Sequence, residues 1–192
     1  MTRARRRTLA DVFGLVLAVA VGVTRLQAGQ DAFTLSYPEQ IGDLSFSERR
    51  DPTEQVRSTQ LVYKAPGMTL TLYIFGGGPE LPDGVDSPQF AKEFELAKDA
   101  IRDPRAWKRV KAVHEGNADL GVAPFLVPAK EAVFSLRSDD TKATSYLYLA
   151  AAGHVFFKVR YTGGVEREVL ERNAAAIREA VGQTIRKVVH RE

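Results

Sequence analysis

From residue 33 to 162 the recurrence of apolar side chains is mostly of period two, and this constrains the fold more than any other feature of the chain. In the run 68–75, Met68, Leu70, Leu72 and Ile74 share one face of an extended chain, while Thr69, Thr71, Tyr73 and Phe75 share the other. Ala65-Pro66-Gly67 separates that run from residues 60–64, which predicts a hairpin. Earlier, Phe33, Leu35 and Tyr37 alternate with polar residues up to Pro38. Leu44 and Phe46 supply a short partner strand after the Ile41-Gly42-Asp43 turn. Further strands are expected at 110–114, 122–127, 132–137, 145–150 and 154–162. Ser138-Asp139-Asp140-Thr141 turns between two of them, and Ala152-Gly153 joins the last pair closely. Connections this short imply an antiparallel meander.

Two segments depart from the alternation. Ser87-Pro88 opens a helix, with a serine oxygen for the cap and proline at the first helical position. Phe90, Phe94, Ala97 and Ile101 recur on one face until Pro104 stops it, and Glu93, Glu95, Lys98 and Asp99 are expected on the solvated side. A second helix follows Gly163-Gly164, with Glu166 and Glu168 near its positive end. It continues through Leu170, Ile177, Val181 and Ile185 towards Lys187. Gly182 inside it costs about 1 kcal/mol relative to Ala. Gly76-Gly77-Gly78-Pro79 reads as a strand exit; a phosphate loop would need an immediately following helix and a Gly-Lys-Ser/Thr element, and neither is there.

Ahead of the alternating region, Arg3, Arg5, Arg6 and Arg7 precede an apolar stretch over residues 12–23 that Arg25 closes. This order is that of a secretory signal peptide, and the stretch falls short of the roughly 18 to 20 residues that cross a bilayer. Residues 1–28 are the expected signal peptide, cut after Ala28 or, as a fallback, after Ala32. Arg6-Arg7 leaves a twin-arginine route open beside the general one. Residues 1–28 hold five Arg and one Asp, so removing them from 27 bases and 24 acids leaves 22 against 23, a net charge of −1. The basic character therefore belongs to the leader, and nucleic acid is not an expected partner of the rest. Nor is a stable membrane span expected after cleavage. With no cysteine, disulfides, thiolate metal sites and cysteine nucleophiles are excluded together.

No residue pattern implies a cofactor, a metal or a catalytic group. His114, His154 and His190 lack the close pairing of a zinc helix, and there is no Gly-x-Ser-x-Gly elbow. The best candidate surface is the last strand. Alternation places His154, Phe156, Lys158, Arg160 and Thr162 on one face. Lys158 and Arg160 are the candidate anion-binding pair, with Tyr146 and Tyr148 expected nearby from the adjoining strand. The competing reading has their stems covering the sheet or pairing with an acid such as Glu131.

Residues 61–67, 70–75, Leu81-Pro82-Asp83-Gly84 and 153–162 together resemble a group of exported proteobacterial proteins without assigned activity, over about residues 33–185. More remotely, the order of strands and helices is similar to the PsbP-like α/β/α sandwich. The resemblance implies an accessory or binding role, and it carries no catalytic motif. The expected fold class is α+β, a single domain over residues 29–192 in which one antiparallel sheet is covered by two principal helices, α/β/α sandwich-like. The expected function is that of a periplasmic or secreted accessory or binding domain whose partner is an envelope protein or a small anionic ligand. The alternative is a periplasmic hydrolase-like enzyme, in which His114 or His154 would be the residues to replace.

Overall fold

The computed structural model describes residues 36–103 and 105–190. The expected signal peptide, both expected cleavage positions, Phe33, Leu35 and the expected Pro104 stop lie outside the described residues. The chain lays down one meander, β1 (Gln40–Ile41), β2 (Leu44–Arg50), β3 (Thr59–Ala65) and β4 (Met68–Gly76). It crosses over through α1 (Pro88–Ile101) and lays down a second, β5 (Arg109–Val122), β6 (Phe125–Arg137), β7 (Lys142–Ala152) and β8 (Val155–Gly163). It then closes with α2 (Arg167–His190). The last strand returns to β4, giving a single sheet of order β1-β2-β3-β4-β8-β7-β6-β5 whose pairs are all antiparallel.

Period-two patterning divides the sheet into two apolar faces. On one, Leu61, Tyr63, Leu70, Leu72, Phe157 and Val159 meet Leu170, Ala174, Ile177, Val181 and Ile185 of α2. On the other, Phe134, Leu136, Leu147, Leu149 and Phe156 meet Phe90, Phe94, Ala97 and Ile101 of α1, with Trp107 and Leu81. The Ser87 hydroxyl caps α1 by accepting from the Phe90 amide at 3.0 Å.

The expectation of a helix-covered α/β/α sandwich is corrected by this architecture. Of the described residues 47% are strand, in one curled eight-stranded sheet, and two helices do not cover it. The reason is width: eight strands about 4.8 Å apart span roughly 34 Å, whereas one helix about 10 Å across shields some two strands. The fold is sheet-dominated, and much of the α1 side lies beyond α1.

Two local expectations also change, the β5–β6 hairpin and Lys98, while the glycine-rich strand exit is where β4 ends. Residues 110–114 and 122–127 belong to one long hairpin, β5 and β6, with a bulge between Ala112 and His114 and its turn at Ala123-Pro124. Pro128 is tolerated in β6 because pairing with β7 starts only at Ala129, so no ladder partner awaits the missing N–H on that side. Lys98, assigned to the solvated face of α1, is buried. The glycine-rich segment is packed: the Gly77 amide donates to His154 O at 2.9 Å, and a Cβ on Gly77 would stand 2.2 Å from Leu81 Cδ2. Among the described residues no helix is long and apolar enough to cross a membrane.

Two local contacts add to the apolar packing of α2 on the sheet. Asn173, fully buried, accepts from the Asp43 amide at 2.8 Å and donates to Asp43 Oδ2 at 2.9 Å and Val169 O at 2.8 Å. These bonds, with the Arg172 guanidinium, hold the Asp43 carboxyl below its ordinary value. Gly42 makes the turn at φ +57, where a Cβ would meet Asn173 Oδ1. Further along, Gly182 sits directly on Gly121 of β5.

Candidate anion-binding face

β8 lies at the centre of the sheet, between β4 and β7, and its two faces differ in chemistry. Phe157, Val159 and Tyr161 are fully buried towards α2. Phe156, Lys158, Arg160 and Thr162 alternate with them on the α1 side. In register, Lys158 stands between Tyr73 of β4 and Leu149 of β7, and Arg160 between Thr71 and Leu147.

α1 reaches the first of these cations. Glu93 Oε1 lies 3.7 Å from Lys158 Nζ, which also sits 4.9 Å from the Tyr73 ring centroid and 5.3 Å from that of Phe75. Burial pulls the Lys158 ammonium below its ordinary value against the attraction of Glu93. Burial likewise pushes the Glu93 carboxyl up against Lys158. Both groups are drawn towards neutrality, so a pair at 3.7 Å does not fully replace the hydration each has lost.

Arg160 is left over. Among the described residues it makes no hydrogen bond or ion pair, and burial pulls its guanidinium down, with Tyr73 opposing the shift. A guanidinium remains charged in any protein setting, so a partly buried one lacking a protein acceptor is a costly feature that an anion would relieve. Its planar fork matches a carboxylate or phosphate, and the side chains of Thr71 and Tyr73 stand on the same face across the β4–β8 ladder.

The expected constellation is thus divided by the sheet. Tyr146 pairs with Tyr161 and Tyr148 with Val159, which places both tyrosines under α2, on the opposite face from Lys158 and Arg160. Among the described residues no group lies within hydrogen-bond distance of the buried Tyr148 Oη, and burial, reinforced by the nearby Glu131, pushes its pKa upward. Burial raises Tyr146 too. Glu131 pairs with Tyr148 and so shares the tyrosines' side; the acid that meets Lys158 is Glu93, which the helical pattern had assigned to solvent. What sequence reading missed was the pairing of β4 with β8. The alternation of β4 already put Thr71 and Tyr73 on one face, but nothing local says that this face adjoins Lys158 and Arg160.

The histidines do not converge. His154 leaves the strand face assigned to it: with Gly153 at φ 58 and His154 at φ 63 it forms a two-residue turn, and its Nδ1 lies 2.9 Å from Leu81 O. His114 follows the β5 bulge, and His190 ends α2. Among the described residues no three His, Asp or Glu side chains gather in a metal-binding group.

Two hollows occur elsewhere. One, open and about 530 Å³, lies at the β6–β7 turn between Arg137, Asp140, Lys142 and Gly164. The other, about 180 Å³, lies between α1 and the β5–β6 hairpin beside Phe90, Phe94, Glu95, Glu115 and Lys130. At the second, Lys98 Nζ is held by Glu95 at 2.7 Å and Glu115 at 2.8 Å. Burial pulls this ammonium down, but the two carboxylates more than offset it and its pKa rises, the mark of a satisfied clamp between α1 and β5. Arg160 borders neither hollow. No protein-family model matches the chain, and no curated protein matches it.

Proposed function

We propose that residues 29–192 form a periplasmic or secreted accessory domain of the cell envelope. It binds a small anionic ligand on the α1-side face of β4 and β8 and catalyses no reaction on it. The leader supports the compartment. The observation that carries the binding role is Arg160, a partly buried guanidinium without a partner among the described residues, beside a Lys158 already engaged by Glu93. With one cation neutralised locally and its neighbour not, the face carries a net positive charge beside the Thr71 and Tyr73 side chains, the composition of a carboxylate or phosphate subsite.

Calorimetric titration with inorganic phosphate and with citrate tests this reading. Charge-assisted hydrogen bonds contribute about 1.5 to 3 kcal/mol, so Arg160→Gln is expected to weaken binding roughly ten- to hundredfold. Tyr148→Phe, on the opposite face, is expected to bind as the wild type does. Equal affinities for wild type and Arg160→Gln would refute the site. The compartment is tested separately: mass spectrometry of periplasmic material is expected to find an N-terminus near Gly29, and full-length chain retained in the inner membrane would contradict it.

A further inference from the structure

Hairpin turns are ordinarily polar, and the β5–β6 turn is not. Residues 122–128 read Val-Ala-Pro-Phe-Leu-Val-Pro, a run without one side-chain hydrogen-bonding group. Residues 122–126 are all exposed. Five large hydrophobic side chains are exposed among the described residues, and three of them, Val122, Phe125 and Leu126, occur here at 49%, 51% and 49%. The other two, Leu96 and Val113, lie singly on α1 and on β5. Scattered apolar residues need no explanation, whereas a contiguous exposed run marks a contact surface.

The chemistry around the tip points to its occupant. Val122 faces Phe125 and Gly121 faces Leu126 in register, so the tip is an apolar projection rather than a groove. It offers a protein partner no side-chain donor or acceptor by which to be recognised. A lipid surface asks only for apolar bulk with cations behind it. Both are present: the Arg186 guanidinium lies 4.0 Å over the Phe125 ring, and the adjacent Lys187 donates to Ser36 Oγ at 3.2 Å. Because residues 29–192 are nearly neutral, attraction to a bilayer has to be local, and the tip is where apolar and cationic groups coincide.

We propose that the β5–β6 tip docks the domain peripherally on an anionic phospholipid surface. Val122, Phe125 and Leu126 enter the interface, and Arg186 and Lys187 lie at the headgroup phosphates. The chain has no cysteine, so single labels are unambiguous. Full-length Leu126→Cys and, as control, full-length Leu96→Cys would each carry a polarity-sensitive fluorophore. Both would be mixed with vesicles of phosphatidylcholine and phosphatidylglycerol containing a lipid-borne quencher. Quenching at 126 with none at 96 is expected even though the leader is present, since the leader alone brings neither position into the interface. Pure phosphatidylcholine vesicles, or Arg186→Gln with Lys187→Gln, are expected to weaken partitioning of the 126 label about tenfold or more, as befits roughly 1 kcal/mol per cation near an anionic surface. An unquenched 126 label, equal quenching at both positions, or indifference to the anionic lipid and to the double substitution would overturn the proposal. So would a concentration-dependent shift at 126 without vesicles, which would mean that the tip meets another protein chain.

Discussion

At Gly182 helix α2 approaches β5 so closely that a Cβ would stand 2.2 Å from Gly121 Cα and 2.3 Å from its nitrogen. Helix propensity alone favours Ala there by about 1 kcal/mol, but an added methyl against backbone forces the two elements apart at about 1 to 3 kcal/mol. Gly182→Ala is therefore expected to lower stability in urea denaturation, and a higher midpoint would contradict the contact. Sequence alone showed only the propensity cost, because the reason for the glycine lies in a distant strand. Glu93 carries the corresponding electrostatic prediction. Its pKa is raised by burial, so the folded chain binds that proton more tightly than the unfolded one. Stability from this group is present at low pH and falls as pH rises from 4.5 through the raised folded value. Lys158→Met removes the opposing cation and is expected to move the Glu93 titration, followed by carboxyl NMR, to still higher pH. An unchanged or lower value would show that Lys158 and Glu93 do not interact.

Elements with strong periodicity were legible from the residues alone. The β3–β4 hairpin follows Ala65-Pro66-Gly67, α1 starts at Ser87-Pro88 with Phe90 and Phe94 buried, and α2 buries Leu170, Ile177, Val181 and Ile185. The β5–β6 hairpin was misread for a physical reason: its turn has the apolar composition of a strand, so residues 122–127 looked extended where the chain reverses. The division of the candidate site has a related cause. Parity within β7 and β8 is readable, but a one-residue change in their register decides whether tyrosines or leucines flank Lys158 and Arg160. Position in the sheet also sets opening energies. Amides of β4, β8 and β7, each paired on both sides, are expected to exchange slowest, while the unpaired edge amides of β5 exchange rapidly. Protection along residues 109–117 equal to that of β8 would contradict this strand order.

For the whole molecule, the consequence of a sheet wider than its helices is an asymmetry between faces. α2, 24 residues long, packs on the tyrosine-rich face, whereas α1, 14 residues long, meets the other face around Phe156 and Lys158, where Thr71, Tyr73 and Arg160 also stand. Composition and alternation fixed the presence of one antiparallel sheet and two helices. Which strand lies beside which depends on pairings between distant segments, and with those pairings comes the surface that the proposed ligand would meet. Backbone amide NMR of the domain during titration with inorganic phosphate tests that surface most directly. Shifts are expected to concentrate at Thr71, Tyr73, Lys158 and Arg160 and to need roughly ten- to hundredfold more phosphate in Arg160→Gln. Shifts centred instead on the hollow at residues 137–142, or unchanged by the substitution, would contradict the account.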